Sequence, residues 1–494
     1  MKFVLVLVLI LDVLSLRAQN ISVPDAGLSA AIRAALAKPT GPLTVQDLIS
    51  LTNLDASHRT ISNLTGLEFA TNLLSLNLQD NLLRNPAFPT NLARLNRLDL
   101  SQNRLGTFTL PSNLTGLNFL DLGFNGLTNV SLPTGLTNLN WLLIQANNSL
   151  TELTLPQGLT ALARLDLNQN LLGQITLPTG MRSLTNLSLS NNQFFSFTVP
   201  TGMTNLTSLL LDNNHINSLA LPADMTKLAV VDIFGNEVSN LAIPGSLTAL
   251  TDLRLAINRL GSLTLPPGLT NLASLDLFEN ILTSLTLPSG LTALTNLDLG
   301  VNPLTSFTLP ADATNLITLS FFFNQLTNLS LPPGVAKLKT LGLSGNKLKN
   351  LDLPAGLSSL AFLNLNNNNQ LTSLTLPPDM QQLIGIFLDG DPLTTFVLSE
   401  PLAAGNLAQT VATLRGQGVN VFTYPLTVQL LQPRQLVGAF EFGITGPPGT
   451  YTILQSDDLV AWSQLAVTTN RLGAIDLTDV TAPLSPRRFY RALR

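Results

Sequence analysis

The sequence predicts a repeat solenoid: many short parallel strands stacked on one another, with a different module at each end. Three observations predict it. An asparagine recurs from Asn81 to Asn368 at steps of 22 residues, with one step of 23 between Asn147 and Asn170. Each asparagine closes the frame L-x-x-L-x-L-x-x-N-x-L, as in Leu294, Leu297, Leu299, Asn302 and Leu304. A proline then follows at a fixed place, from Pro89 and Pro111 to Pro377. A fixed period of this length marks a stacked array, because one unit cannot bury its own apolar residues.

The first nineteen residues, "MKFVLVLVLILDVLSLRAQ", combine a lysine, an apolar run and Ala18. They predict a secretory signal over 1–19, cleaved after Ala18. No later segment is apolar for long enough to span a bilayer, so no membrane insertion of the mature chain is expected. Residues 20–45 come next. There "PDAGLSAAIRAALA" spaces Leu28, Ile32 and Leu36 four apart, on one helical face, with Asp25 as N-cap. This helix predicts an N-terminal cap, which an open stack needs to cover its bare end.

Residues 46–400 hold about sixteen units of 22 residues, the first centred on Arg59 and the last on Asp391. The L-x-L step has period two, so Leu297 and Leu299 turn inward while Asp298 turns outward from a short strand. At the asparagine the chain turns, and a buried amide can bond the freed backbone groups of neighbouring coils. The fourteen asparagines are therefore expected to be structural. The second half of each unit carries its own period-two pair, such as Phe307 and Leu309, before the proline. Proline disfavours helix just before it and cannot donate to a ladder, so this side should be extended segments and turns.

The frame resembles that of the leucine-rich repeat proteins. The resemblance implies an arc with a parallel concave β-sheet and a mostly non-helical convex side. The cap helix followed by "LTNLDASHRTISNLTGLEFATNL" (51–73) resembles the start of bacterial, internalin-like members. That resemblance implies export and binding, not a particular ligand. Extracellular animal and plant members usually carry cysteines in their caps, and this chain has none. Without cysteine there are no disulfides, lipid-attachment thiols or thiol nucleophiles.

Residues 401–425 predict a C-terminal cap, with a short amphipathic helix and a last strand. Residues 426–494 change character: "AFEFGI" and "TYTILQS" flank the turn signal "TGPPG", predicting a small β-sandwich-like module. The wording "GPPGTYTILQSDDLVAWSQL…RRFYRAL" resembles a small β module found at the C-terminus of secreted proteins from certain environmental bacteria. Trp462 and Tyr490 are expected in its core, with a sugar-stacking platform as the alternative.

Composition narrows function. Charged residues make up 11%, and the formal charge of −4 with a pI near 5.2 supplies no basic stripe for phosphates, so no nucleic-acid partner is expected. The two histidines, His58 and His215, sit in distant units, and no catalytic or nucleotide-binding motif is present. No enzyme activity, metal or cofactor is expected. Asp99, Asp121, Asp166, Asp232, Asp276 and Asp298 share the outward strand position, which is also a common place for aspartate in such repeats.

The variable strand residues face the concave side, and two aromatic groups stand out there. Phe234, Phe278 and Phe322 lie two coils apart in one column, with Phe323 beside the last. At about 4.8 Å per strand their spacing is roughly 10 Å. Phe119, Phe124 and Trp141 form a second group on two adjoining coils. Exposed aromatics in rows mark contact surfaces; some of these rings could instead fold back as packing. The chain is thus expected to be a secreted or cell-surface ligand-binding scaffold. An extracellular protein is the first candidate partner, a polysaccharide the second, and a structural envelope role the third.

Overall fold

A computed structural model describes residues 19–482 and 487–494, so residues 1–18, read above as nearly all of the secretory signal, lie outside it. The chain divides into two compact units that meet in sequence at Leu260 and Gly261, inside the repeat array.

The first unit begins with the helix Ala26–Ala35. Asp25 caps it, its carboxylate accepting the Leu28 N–H at 3.0 Å, while Leu28, Ala31 and Ile32 are buried. The other oxygen of Asp25 accepts N–H groups of Ser62 and Asn63, fastening the helix to the first coil. These bonds hold the Asp25 carboxyl below the usual carboxylate range against the opposing effect of its burial. A second helix, Val45–Ser50, closes with a capping box between Thr44 and Asp47. The sequence reading had placed these residues at the start of the repeats and missed this helix.

Ten three-residue strands then pair in parallel, from Asn53–Asp55 to Asp252–Arg254. Register follows the repeat: Leu98 stands opposite Leu120, 22 residues on, and Leu142 opposite Leu165, 23 residues on. The extra residue near Asn147 is absorbed in the following loop. The ladder contact survives, with the Asn147 N–H still bonding Asn170 Oδ1 at 3.2 Å.

The asparagine ladder forms as the chemistry requires. Asn81 Oδ1 accepts the N–H groups of Arg59 and Ile61, and its Nδ2 donates to the carbonyls of Ala56, Leu78 and Gln79. One side chain therefore satisfies five backbone groups on two coils. The opposite side of the unit is extended and non-helical: Thr107–Thr109 pairs Asn129–Ser131, and Phe197–Thr198, Ser218–Ala220 and Asn240–Ala242 form a second short parallel sheet.

The second unit repeats this plan with six strands, from Ser274–Asp276 to Gly385–Phe387. Helices Glu400–Ala404 and Ala408–Gly416 follow, then the strand Asn420–Tyr424, which pairs Thr395–Ser399. Tyr424 is fully buried, its hydroxyl donating to the Leu376 carbonyl at 2.6 Å. Two three-stranded antiparallel sheets end the chain: Gln429–Leu436, Ala439–Thr445 and Ala474–Asp479 in one; Ser463–Asn470, Gly449–Ser456 and Phe489–Leu493 in the other. Their core is Phe442, Ile444, Tyr451 and Ile453, with Tyr490 stacked against Phe440. Trp462 is not in that core; its indole N–H caps the Leu459 carbonyl at 3.2 Å in a surface turn.

Candidate functional site

Within the first unit, the first residues of four successive strands form a row: Arg97, Phe119, Trp141 and Arg164. Cross-strand register places each directly opposite the next. The Arg97 guanidinium lies 3.5 Å from the Phe119 ring centre. The Phe119 and Trp141 rings are 6.0 Å apart at 36°, and the Arg164 guanidinium lies 5.6 Å from Trp141. Trp141 remains 41% exposed. A cation over a ring face is attracted by the ring quadrupole, so the row holds itself in order while showing its outer face to solvent.

The next outward position carries the acids. Asp99 pairs Arg97 at 3.4 Å and Asp166 pairs Arg164 at 3.0 Å, which fixes the plane of each guanidinium. Asp121, between them in sequence, has Asp99 on one neighbouring strand and Leu143 on the other. Burial pushes its carboxyl up to about 6. The Gly123 N–H and Arg97 act against that rise, while Asp99 and Asp166 add to it. A cleft of about 300 Å³ opens beside the row, lined by Asn96, Arg97, Asn118, Phe119 and Trp141.

Phe119 and Trp141 are thus brought together. Phe124 is not part of their row. It occupies the turn after the strand, 51% exposed, with φ 57°. Sequence reasoning missed Arg97 and Arg164, although both sit at the outward position that opens each strand. Their signal was register: each stands one repeat from an aromatic residue.

The other phenylalanines behave differently. In the second unit Phe278 and Phe322 are half-buried and lie along the sheet rather than standing from it. A Cβ on Gly300 would come within 2.9 Å of the Phe278 ring, and one on Gly342 within 2.7 Å of the Phe322 ring. The glycines of the next coil are the seats on which these rings lie. Phe323, 61% exposed with φ 50°, is the open ring of that group. Phe234 is half-buried in the first unit, its N–H bonded to Asp232 Oδ1. The sequence reading also left out Phe362 and Phe387 of the second unit, two exposed rings that converge over Gly385.

Both histidines lie at the surface with a carboxylate near Nδ1, Asp80 for His58 and Glu237 for His215. His58 Nδ1 meets Asp80 at 2.6 Å on an exposed turn, and His215 stacks on Phe195 with ring centres 5.4 Å apart. Among the described residues no three His, Asp or Glu side chains converge as a metal site, and no helix is long and apolar enough to cross a membrane.

Comparison with known proteins agrees with this architecture. The family described as "Leucine Rich repeats (2 copies)" matches residues 336–378, and the "BspA type Leucine rich repeat region (6 copies)" matches 62–165 and 122–241. Among solved structures, YopM from Yersinia enterocolitica is 27% identical with a TM-score of 0.58, over 75% of this chain and 73% of that one. The leucine-rich repeat protein LIC12759 of Leptospira interrogans is 25% identical with a TM-score of 0.48, over 76% and 97%. An internalin (InlF) of Listeria monocytogenes is 23% identical with a TM-score of 0.43, over 81% and 94%. No curated protein matches the chain. The repeat frame, the asparagine ladder and the stacked parallel strands agree with the two family matches and with the YopM structure: the array has the leucine-rich repeat fold.

Proposed function

We propose that this protein is an exported scaffold that binds a protein partner on the strand face of its repeats, with the Arg97–Phe119–Trp141–Arg164 row as the anchor. The observation that supports this reading is the row itself. Tryptophan, aromatic rings and arginine are the residue types that dominate protein–protein hot spots, and here four of them are aligned on a rigid sheet. Their rotamers are already ordered by ion pairs and ring contacts, so binding costs little further side-chain entropy. Export is supported by the first nineteen residues, and recovery of the chain from the medium is its check.

The test is a pull-down from cell-surface and medium extracts, with the full mature chain beside Trp141→Ala and Phe119→Ala. Each variant is first checked by circular dichroism. A captured protein whose yield falls tenfold or more with either variant is the expected result. Equal capture by all three chains would remove the row from the interface. Capture abolished by soluble glycan would replace the protein partner with a polysaccharide, a reading that the asparagines Asn96 and Asn118 of the cleft would serve.

A further inference from the structure

In the second unit, the side opposite the strand face carries a pattern of its own. Four successive coils read GSLTLP, TSLTLP, TSFTLP and TNLSLP there, between Gly261 and Pro332. One set of alternate residues turns inward and is buried, as Leu285, Leu287, Phe307 and Leu309 are. The other set turns outward and is exposed: a serine and a threonine on three coils, such as Ser284 and Thr286, then Asn328 and Ser330 on the fourth. Parallel bridges tie Thr264 to Thr286 and Thr308 to Ser330, so these coils keep strand spacing on this side as well. The outward groups therefore form a grid, about 4.8 Å between coils and roughly 6.6 Å along each segment.

This grid is ordered and unoccupied by the chain itself. Threonine is stiff at χ1, and the proline that ends each segment stiffens its backbone. None of the outward hydroxyls donates within the chain among the described residues. On the strand face, by contrast, the hydroxyls of Thr295 and Thr394 donate to the carbonyls of Ala273 and Thr372. No charged residue and no outward ring interrupts the four coils; Lys349 and Asp352 on the next coil end them.

These properties exclude the usual partners of a protein surface. Hot spots of protein interfaces use tryptophan, tyrosine and arginine, and serine is depleted there. Small-molecule sites are concave and mostly apolar, and anionic polymers need a basic stripe. What remains is a neutral grid of hydroxyls and methyls repeating in two directions. Its chemical complement is a surface that is itself a periodic array of water. The grid spacings are close to those between oxygens on the faces of an ice crystal. Each hydroxyl can take one lattice bond while the threonine methyls fill the hollows between lattice sites.

We propose that this face, with Thr264, Thr286 and Thr308 at its centre, binds the surface of ice. The face is separate from the aromatic row and does not depend on the protein-binding reading.

The experiment freezes a dilute solution of the full mature chain slowly onto a cold probe. The protein concentration in the ice is compared with that in the remaining liquid, with serum albumin as the excluded control. The parent should be enriched in the ice severalfold over albumin. Thr286→Lys/Thr308→Lys should fall to the albumin level. Asn296→Lys/Thr318→Lys adds the same charges to opposed residues of the strand face and should match the parent. Circular dichroism checks each fold, and Ser306→Tyr, a single neutral obstacle on the flat face, should also lose enrichment.

A parent at the albumin level would overturn the proposal, as would a folded Thr286→Lys/Thr308→Lys or Ser306→Tyr chain enriched like the parent. Retention on powdered cellulose or chitin, lost in the same variants and without enrichment in ice, would replace ice with a crystalline polysaccharide. Trp141→Ala should leave the enrichment unchanged, and a loss there would overturn the assignment to this face. Failure of the protein-binding reading leaves every one of these readouts intact.

Discussion

At the scale of single residues, the most informative position is the last rung of the ladder. Asp391 stands where every earlier rung from Asn81 onward has asparagine. Its Oδ1 does the asparagine's accepting work, taking the Asn368 N–H at 2.6 Å. That leaves Oδ2 in the place of the amide nitrogen, buried and without a partner. A carboxylate cannot donate to carbonyls, whereas a carboxylic acid can. Burial accordingly pushes Asp391 up to about 7, with Asp389 adding to the rise and the Asn368 N–H opposing it. A carboxyl raised above its unfolded value of 3.8 makes the folded chain hold a proton that the unfolded chain releases. Its contribution is therefore full below pH 4, falls as pH rises toward 7, and stays flat above. Asp391→Asn, a permanent donor, should remove that decline. The melting temperature of the variant should exceed the parent's by a margin that widens from pH 4 to pH 7 in scanning calorimetry. A constant margin would show that Asp391 does not titrate in this range.

At the scale of the element, the turn that ends each strand imposes one backbone conformation on unrelated residues. The position before the ladder asparagine has positive φ in coil after coil: Gln102, Phe124, Asn191 and Asn213 in the first unit, Glu279, Val301, Phe323 and Asn367 in the second. Glycine takes the same place at Gly235 and Gly345. Asparagine and glycine adopt this region readily, whereas β-branched residues are strained there. Val301, at φ 51°, and Ile257, at φ 54°, carry that strain because the coils above and below fix the turn. Val301→Asn should therefore stabilise the chain by about 1 kcal/mol in urea unfolding, since it relieves the strain and keeps the register. A loss of stability would mean that the partly buried valine packs for more than its backbone costs. The opening phenylalanines of this column, Phe124 and Phe323, are exposed for the same reason: the turn aims them outward.

At the scale of the whole molecule, stability comes from leucine columns and amide ladders and owes little to charge. Charged residues make up 11% of the chain, and most ion pairs lie at the surface, such as Arg259 with Glu237 and Arg434 with Glu441. Surface pairs contribute little and are screened by salt. Raising sodium chloride from about 0.05 M to about 0.5 M should therefore move the melting temperature by less than about 3 °C. A larger fall would assign the row of Arg97, Arg164 and their aspartates a structural weight that its exposure does not suggest. Among the described residues, Arg488 and Asp479 of the terminal module form a pair in which both side chains are largely covered.

The repeat, its asparagines and its non-helical side were legible because they depend on local rules: period two in a strand, a polar turn at a fixed step, and proline at its exit. The cap residue Asp25 was legible for the same reason, since an N-cap is read within four residues. The second helix at Val45–Ser50 was not, because its apolar residues also fit the opening of a repeat. What the sequence by itself determined is the scaffold and the set of residues that face outward. Only the tertiary structure decided what those outward residues do, because that depends on the neighbour one coil away. A glycine next door let Phe278 and Phe322 lie down on the sheet, whereas arginines next door held Phe119 and Trp141 in an ordered row. The side-chain period belongs to one strand, but the chemistry of the surface belongs to the register between strands.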